Sequence, residues 1–196
     1  TVISNRKIII TWMESLPNIT FNDNHFRIFF NKENKINIMK WYKEWFSSNY
    51  YDILYNKRNN LEAKLFLNNL LLYIQPKKND FFIDIACGNG RHANYIAKLG
   101  YNITGVDLSK KKIQEAKKQA NKKAYFTTHD MRKVYINNHF NYVLNLFTSF
   151  GYFQTKQENV LVLRNFNKTL KKNGKLIFDY INFDYTLKNI KKKETK

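Results

Sequence analysis

Hydrophobic positions in the middle of the chain follow helix-like and strand-like patterns in turn. Residues 61–74, LEAKLFLNNLLLYI, carry apolar residues at helical spacing, and Pro76 closes the segment. The apolar runs FFIDIA (81–86) and NITGVD (102–107) are typical of buried strands. Between them, the stretch from Arg91 to Leu99 predicts a helix that ends at Gly100.

The second half of the chain continues this alternation. We predict a helix capped by Ser109 and running to about Gln119, strands over 124–130 and 139–147, a helix over 156–171 and, after a turn at Asn173-Gly174, a strand over 175–183. Strands that alternate with helices form right-handed crossovers. The pattern therefore predicts an α/β fold with a mostly parallel sheet and helices on both faces.

The first 38 residues do not continue this pattern. KIIITW (7–12) and HFRIFF (25–30) have strand-like composition, and Pro17 and several asparagines separate them. Three explanations stand, in this order: an upstream reading-frame remnant, a terminal piece of another domain, or a hairpin that covers an exposed edge of the sheet. Without such cover, the fifth strand would be an aggregation-prone edge.

Composition limits the class of protein further. Of 196 residues 43% are hydrophobic, which is enough for a folded core. The single cysteine, Cys87, excludes a disulfide framework and favours a reducing, cytoplasmic location. We find neither an apolar run long enough to span a bilayer nor a signal peptide, so no membrane partner is expected.

The formal charge of +19 raises the question of a nucleic-acid partner. Only six of the 34 basic residues are arginine, the residue preferred for bidentate phosphate and base contacts. Lysine is instead spread along the whole chain together with Asn, Ile, Tyr and Phe. We therefore favour a compositional bias of the surface over a nucleic-acid interface, which stays open as the alternative.

The stretch IDIACGNGRHA (83–93) matches two nucleotide-site patterns. As Gly88-x-Gly90-x-x-Ala93 it satisfies the dinucleotide fingerprint, and Asp107 at the end of the next strand suits a ribose. Asp84, however, would repel the diphosphate of NAD. Asp130 ends a third strand, and three such carboxylates suit a cationic nucleoside better than NAD.

The ordered motifs from Met39 to about Asn182 resemble those of class I S-adenosylmethionine-dependent methyltransferases of the small bacterial type. DIACGNGRHANYIAKLGYNITGVDLS resembles the glycine loop through the acidic second-strand motif, and THDMR resembles the adenine-side motif. NLFTSFGYF (145–153) and LKKNGKLIFD fall where the family places its fourth motif and the following strand. The resemblance implies a Rossmann-like methyltransferase sheet, and we expect the C-terminal helix and antiparallel hairpin of that sheet to be missing from this chain.

The resemblance also implies the organisation of the chain and its cofactor site. Residues 1–38 are an unassigned extension, 39–80 an N-terminal helical lid, and 81–196 an S-adenosylmethionine-binding core. The implied cofactor contacts are Asp84, Ala86, Gly88 and Gly90 for the methionine moiety, Asp107 with Leu108 for the ribose, Asp130 with Met131 for the adenine, Asn145 and Phe147 beneath the methyl group, and Tyr51, Tyr55 and Arg58 for the carboxylate. The family often has glycine where Ala86 stands.

No catalytic side chain is assigned, because methyl transfer needs mainly positioning and desolvation. His92, His129 and His139 lack metal-ligand spacing, so we expect no metal, and we keep only His129 as a candidate base. Cys87 is interpreted as a small loop residue.

The motif after the fourth strand bears on the methyl acceptor. Asn145-Leu146-Phe147-Thr148 lacks the prolines of base N-methyltransferases, which favours a small-molecule acceptor in an apolar pocket. An RNA methyltransferase and a non-catalytic cofactor-binding remnant are the alternatives.

Overall fold

The computed structural model describes residues 6–12, 60–181 and 188 of the chain. These residues form a six-stranded sheet and four helices. In chain order the elements are β1 (Arg6–Trp12), α1 (Asn60–Ile74), β2 (Phe81–Ile85), α2 (Arg91–Lys98), β3 (Asn102–Asp107), α3 (Lys110–Lys118), β4 (Ala124–Thr128), β5 (Phe140–Asn145), α4 (Lys156–Thr169) and β6 (Leu170–Ile181).

The strand order across the sheet is β1-β6-β5-β2-β3-β4. Strands β2 to β6 are parallel, and β1 pairs with β6 in the antiparallel direction. The order reverses between β2 and β5, so the crevice at their carboxyl ends is a topological switch point, where ligands bind in open α/β sheets. The predicted fold class, α/β with a mostly parallel sheet, is confirmed.

Successive strand residues point to opposite faces, and each face carries its own core. Phe82, Leu144 and Ile177 pack with helices α1, α2 and α3 on one face. Ile83, Val143 and Leu176 pack with α4 on the other face. The predicted covering of both faces is confirmed, and it explains why these strands read as continuous apolar runs.

Several predicted elements extend too far at their C-terminal ends. β4 ends at Thr128 and β5 at Asn145, because the residues that follow turn into loops at the carboxyl edge of the sheet. α4 ends at Thr169, and β6 begins at Leu170, before the predicted turn. Asn173 has a φ of +60°, and the register between β5 and β6 is irregular at this end. The Asn173-Gly174 signal therefore marks an irregularity within the strand.

The predicted fifth strand, which corresponds to β6, has a neighbouring strand on both sides. β1 lies along β6 with Arg6 opposite Ile181 and Trp12 opposite Lys175, so backbone groups of β6 pair on both sides. For residues 6–12, the explanation ranked last, a segment that covers the sheet edge, fits the observed pairing. Residues 25–30 lie outside the described part of the chain.

Candidate cofactor site

The glycine loop connects β2 to α2 through a series of left-handed backbone conformations. Ala86, Gly88 and Gly90 have φ values of +64°, +56° and +76°. The loop is tied to β3, because the Cys87 N–H donates to the Val106 carbonyl over 3.0 Å. A Cβ added at Gly88 would meet no atom within 4 Å. The loop therefore leaves an open space above Gly88, as close approach of a ligand requires.

Two buried polar atoms at the switch point carry no hydrogen bond within the described residues. Asp84, at the end of β2, is 1% exposed and has an unsatisfied Oδ2 atom. Asn145, at the end of β5, is 0% exposed; its Nδ2 donates to the Ile85 carbonyl over 2.9 Å and its Oδ1 is unsatisfied. Buried polar atoms normally have partners, so two such acceptors at the mouth of the sheet suit a ligand with hydrogen-bond donors.

Burial controls the protonation of Asp84. Burial, followed by the charge of Asp107, raises the pKa of this carboxyl from 3.8 to about 7 even though Arg91 partly opposes the rise. Charged groups are destabilised in a low-dielectric site unless a counter-charge is present. A cationic ligand would supply that counter-charge, whereas a diphosphate would not.

Asp107 holds the glycine loop and the start of α3 together. Its Oδ2 accepts from the Gly88 N–H over 2.9 Å, and its Oδ1 accepts from the Ser109 N–H over 2.8 Å. Burial raises the pKa of Asp107, and the N–H groups of Ser109, Gly88 and Leu108 partly offset this. A carboxylate has about four acceptor positions, so both oxygens can still accept from ribose hydroxyls. Ser109 caps α3, as predicted, through its bond from the Lys112 N–H.

Asp130 is engaged in an ion pair that the sequence did not predict. Its Oδ2 accepts from Arg132 Nη2 over 2.7 Å, and Arg132 Nη1 also donates to Glu158 over 3.1 Å. Partial burial raises the pKa of Asp130, but the hydrogen bonds and charge of Arg132 lower it on balance. Met131 packs against the α4-side core. The adenine roles of Asp130 and Met131 stay predictions.

Phe147 lies beyond the end of β5 and closes one side of the glycine loop. Its ring stacks on His92 at a centroid distance of 4.7 Å, and Arg91 Cζ lies 4.7 Å from the same ring centroid. Both residues begin α2 directly after Gly90. The structure thus brings Phe147 to the loop, although its place beneath a methyl group stays a prediction. Tyr51, Tyr55 and Arg58 lie outside the described residues.

The contacts of His129 and Cys87 indicate structural roles for these two side chains. His129 Nε2 donates to the Lys133 carbonyl over 2.9 Å, an arrangement that orients the ring within its own turn. Burial, followed by the charges of Asp84 and Asp107, raises the pKa of Cys87 well above its usual range. A thiol in that state is not a nucleophile, in agreement with its interpretation as a small loop residue.

The sequence did not predict the Phe126 floor, which is the packing of the Phe126 ring beneath the glycine loop. A Cβ at Gly105 in β3 would overlap the Phe126 ring and lie 3.0 Å from Cys87 Sγ, and a Cβ at Gly90 would lie 2.8 Å from the Ala116 Cβ. Phe126 is 2% exposed. A glycine at the fourth position of NITGVD was the only available signal, since glycine in a buried strand marks a close approach.

Comparison with known proteins identifies the family of the chain. The model of a family described as Methyltransferase domain matches residues 76–196. This is more than half of the chain, and the chain therefore belongs to this methyltransferase domain family. The resemblance inferred from the motifs is confirmed.

Individual relatives share part of their length with the chain. The dTDP-3-amino-3,4,6-trideoxy-alpha-D-glucopyranose N,N-dimethyltransferase of Streptomyces venezuelae is 28% identical over 97 residues, which are 50% of this chain and 40% of that enzyme. The ubiquinone biosynthesis O-methyltransferase of Pelagibacter ubique is 25% identical over 181 residues, 81% of this chain and 74% of that enzyme.

A solved structure shares the fold. The S-adenosylmethionine-dependent methyltransferase of Clostridium acetobutylicum superimposes with a TM-score of 0.60 at 21% identity, covering 72% of this chain and 60% of that one. Among the described residues, no helix of the present chain is both long and apolar enough to cross a membrane.

Proposed function

We propose that the chain binds S-adenosylmethionine at the carboxyl ends of β2, β3 and β5 and transfers its methyl group to a small molecule. The observation that carries this proposal is the pair of buried, unsatisfied acceptors, Asp84 Oδ2 and Asn145 Oδ1, beside the open space at Gly88. The α-ammonium and sulfonium of this cofactor match a buried carboxylate, as the diphosphate of NAD does not.

Each part of the cofactor has a proposed partner. Asp84 and Asn145 accept hydrogen bonds from the methionine amino group, Gly88 and Gly90 leave room for its backbone, and Asp107 with Leu108 binds the ribose. Asp130 and Met131 border the adenine. Tyr51 and Arg58 stay proposals for the carboxylate.

Methyl transfer mainly requires that the two reactants are correctly positioned. Bound S-adenosylmethionine supplies a methyl carbon activated by the sulfonium for in-line displacement. The chain's own contribution is to orient the two reactants and exclude water, which accounts for much of the acceleration in such reactions. The segment 146–153 beyond β5 supplies Phe147 as an apolar wall beside the glycine loop. Phe150 and Phe153 anchor this segment to the α4-side core, since Phe150 packs edge-on against Phe178 at a centroid distance of 5.1 Å and Phe153 is buried.

The small-molecule acceptor is supported by the relatives and by the absence of prolines after Asn145. One relative is named as an N,N-dimethyltransferase of an amino sugar and another as an O-methyltransferase of ubiquinone biosynthesis, so experiment must identify the acceptor atom. We place the enzyme in the cytoplasm on the ground of its single cysteine. Nucleic acid is not favoured as a partner.

A label-transfer assay tests the proposal. The purified chain is incubated with methyl-labelled S-adenosylmethionine and panels of small amines, phenols and short RNAs. We expect the label to appear in a small molecule. We also expect Asp107→Ala to lower the transfer rate at least about tenfold, because it removes the proposed ribose contacts. Asp80→Ala, at the opposite end of β2, is the matched control and keeps the wild-type rate. Transfer to RNA alone would contradict the proposed acceptor class.

A further inference from the structure

Two consecutive residues after β5 adopt a backbone conformation that side chains disfavour. Phe147 has a φ of +58° and Thr148 a φ of +59°, and neither is glycine. A β-branched residue such as Thr148 is especially unusual there. Such conformations persist only where the surrounding structure holds them, and they concentrate at functional sites.

The support comes from β6. Asp179, which is 1% exposed, accepts from the Phe147 N–H through its Oδ2 over 2.9 Å. Its main-chain carbonyl accepts from the Thr148 N–H over 3.1 Å. One residue thus binds the N–H groups of both strained positions.

The conformation held by Asp179 decides where the Phe147 ring lies. In this backbone the ring stacks on His92, with an interplanar angle of 29°, and carries the Arg91 guanidinium on its face. These two residues form the first turn of α2, next to the open space at Gly88. A contact chain therefore runs from Asp179 through Phe147 to the edge of the glycine loop.

We propose that Asp179 is a positioning residue of the cofactor site, which holds the 147–148 backbone so that Phe147 packs against Arg91 and His92. The proposal rests on the proposed function, because its effect on affinity presupposes that S-adenosylmethionine binds here. Preorganisation of this kind raises affinity by removing the ordering that the ligand would otherwise impose.

The test compares Asp179→Ala with Asp179→Asn. The asparagine Oδ1 can still accept from the Phe147 N–H, whereas alanine cannot. By calorimetric titration we expect Asp179→Ala to bind S-adenosylmethionine about tenfold more weakly, as loss of one hydrogen bond to a carboxylate implies, and Asp179→Asn to stay within about threefold of the wild type. Equal affinity in a folded Asp179→Ala variant would overturn the proposal, and so would an equal loss in both variants.

A second readout does not depend on the cofactor. In the wild type we expect slow hydrogen exchange at the Phe147 amide and nuclear Overhauser contacts between the Phe147 and His92 rings. Both should persist in Asp179→Asn and disappear in Asp179→Ala. If Asp179→Ala does not fold, the wild type and Asp179→Asn still test the proposal. Fast exchange of the Phe147 amide, or absence of contacts between the Phe147 and His92 rings, in either of these two proteins would overturn it.

The two readouts separate the claims. Slow exchange and ring contacts without any S-adenosylmethionine binding in the wild type would contradict the proposed function and the affinity effect, while leaving the role of Asp179 in holding the loop supported. Wild-type binding with a freely exchanging Phe147 amide would contradict the positioning role alone.

Discussion

Ala86 sits in a conformation that glycine adopts more easily. Its φ of +64° costs a residue with a Cβ about 1 kcal/mol or more. This explains in physical terms why the family often has glycine at this position. The sequence alone showed the departure, but its energetic consequence depends on the backbone angle, which only the structure supplies.

We expect Ala86→Gly to stabilise the ligand-free protein by about 0.5–1 kcal/mol, because the relief of strain exceeds the added chain entropy. Urea unfolding measures this difference. The matched control is Ala93→Gly inside α2, which should lower stability by about 1 kcal/mol or more, since Ala93 is buried in a helix. An equal loss in both variants would contradict the assignment of strain to Ala86.

The protonation of Asp84 predicts the pH dependence of both stability and binding. Its pKa is about 7 in the folded chain and 3.8 when unperturbed, so between these values the folded state binds more protons than the unfolded state. Stability from this group is therefore greatest below about pH 4 and falls as the pH rises to 7. Asp84→Asn should remove this part of the slope in urea unfolding measured from pH 4 to pH 8.

The same ionisation governs affinity for a cation. S-adenosylmethionine needs the charged carboxylate, so its affinity should fall up to about tenfold for each pH unit below 7 and level off above it. Titrations in the wild type measure the profile. A flat profile from pH 5.5 to 8 would contradict the role of Asp84.

The strand β3 and the glycine loop are fitted together through Gly105 and Phe126. Gly105→Ala should destabilise the protein by about 1–3 kcal/mol through overpacking. Phe126→Leu added to it should recover part of that loss, because the two changes act in one space. Additive losses in the Gly105→Ala/Phe126→Leu pair would contradict the shared packing.

Gly88→Ala is the contrasting variant. Its Cβ points into open space, so we expect weaker S-adenosylmethionine binding and a smaller loss of stability than in Gly105→Ala.

Local patterns were sufficient to predict most of these elements. The Ser109 cap, the glycine loop and the carboxylates that end β2 and β3 each have a signature within a few residues. The Arg132 pair with Glu158, the Phe126 floor and the Asp179 bond to Phe147 join residues from different elements. Such contacts depend on the strand order and register, which a single sequence does not display.

One end of the described sheet is formed by a strand that is distant in the sequence. β1 precedes α1 by more than forty residues and yet pairs along β6. Its composition predicted a strand, but β-propensity carries no information about the partner. Pairing of this kind covers one side of β6, which would otherwise present free backbone groups to other molecules.

Proline substitutions in β1 test this pairing. Along a strand, only every second N–H group points towards a given neighbouring strand. One of the two variants Ile8→Pro and Ile9→Pro therefore removes a backbone hydrogen bond to β6, and the other does not. We expect one of the two to lower stability by at least about 1 kcal/mol more than the other and to associate at lower concentration in light scattering. Ile9→Val is the neutral control. Wild-type behaviour in both proline variants would show that β1 is not paired.

The proposed site at the switch point should bind S-adenosylmethionine and not NAD. Calorimetric titration of the wild-type chain with each cofactor in turn, at pH 8 where Asp84 is ionised, tests it most directly. We expect saturable one-to-one binding of S-adenosylmethionine, lost in Asp107→Ala and kept in Asp80→Ala, and no measurable heat with NAD. Saturable binding of NAD, or of neither cofactor, would contradict it.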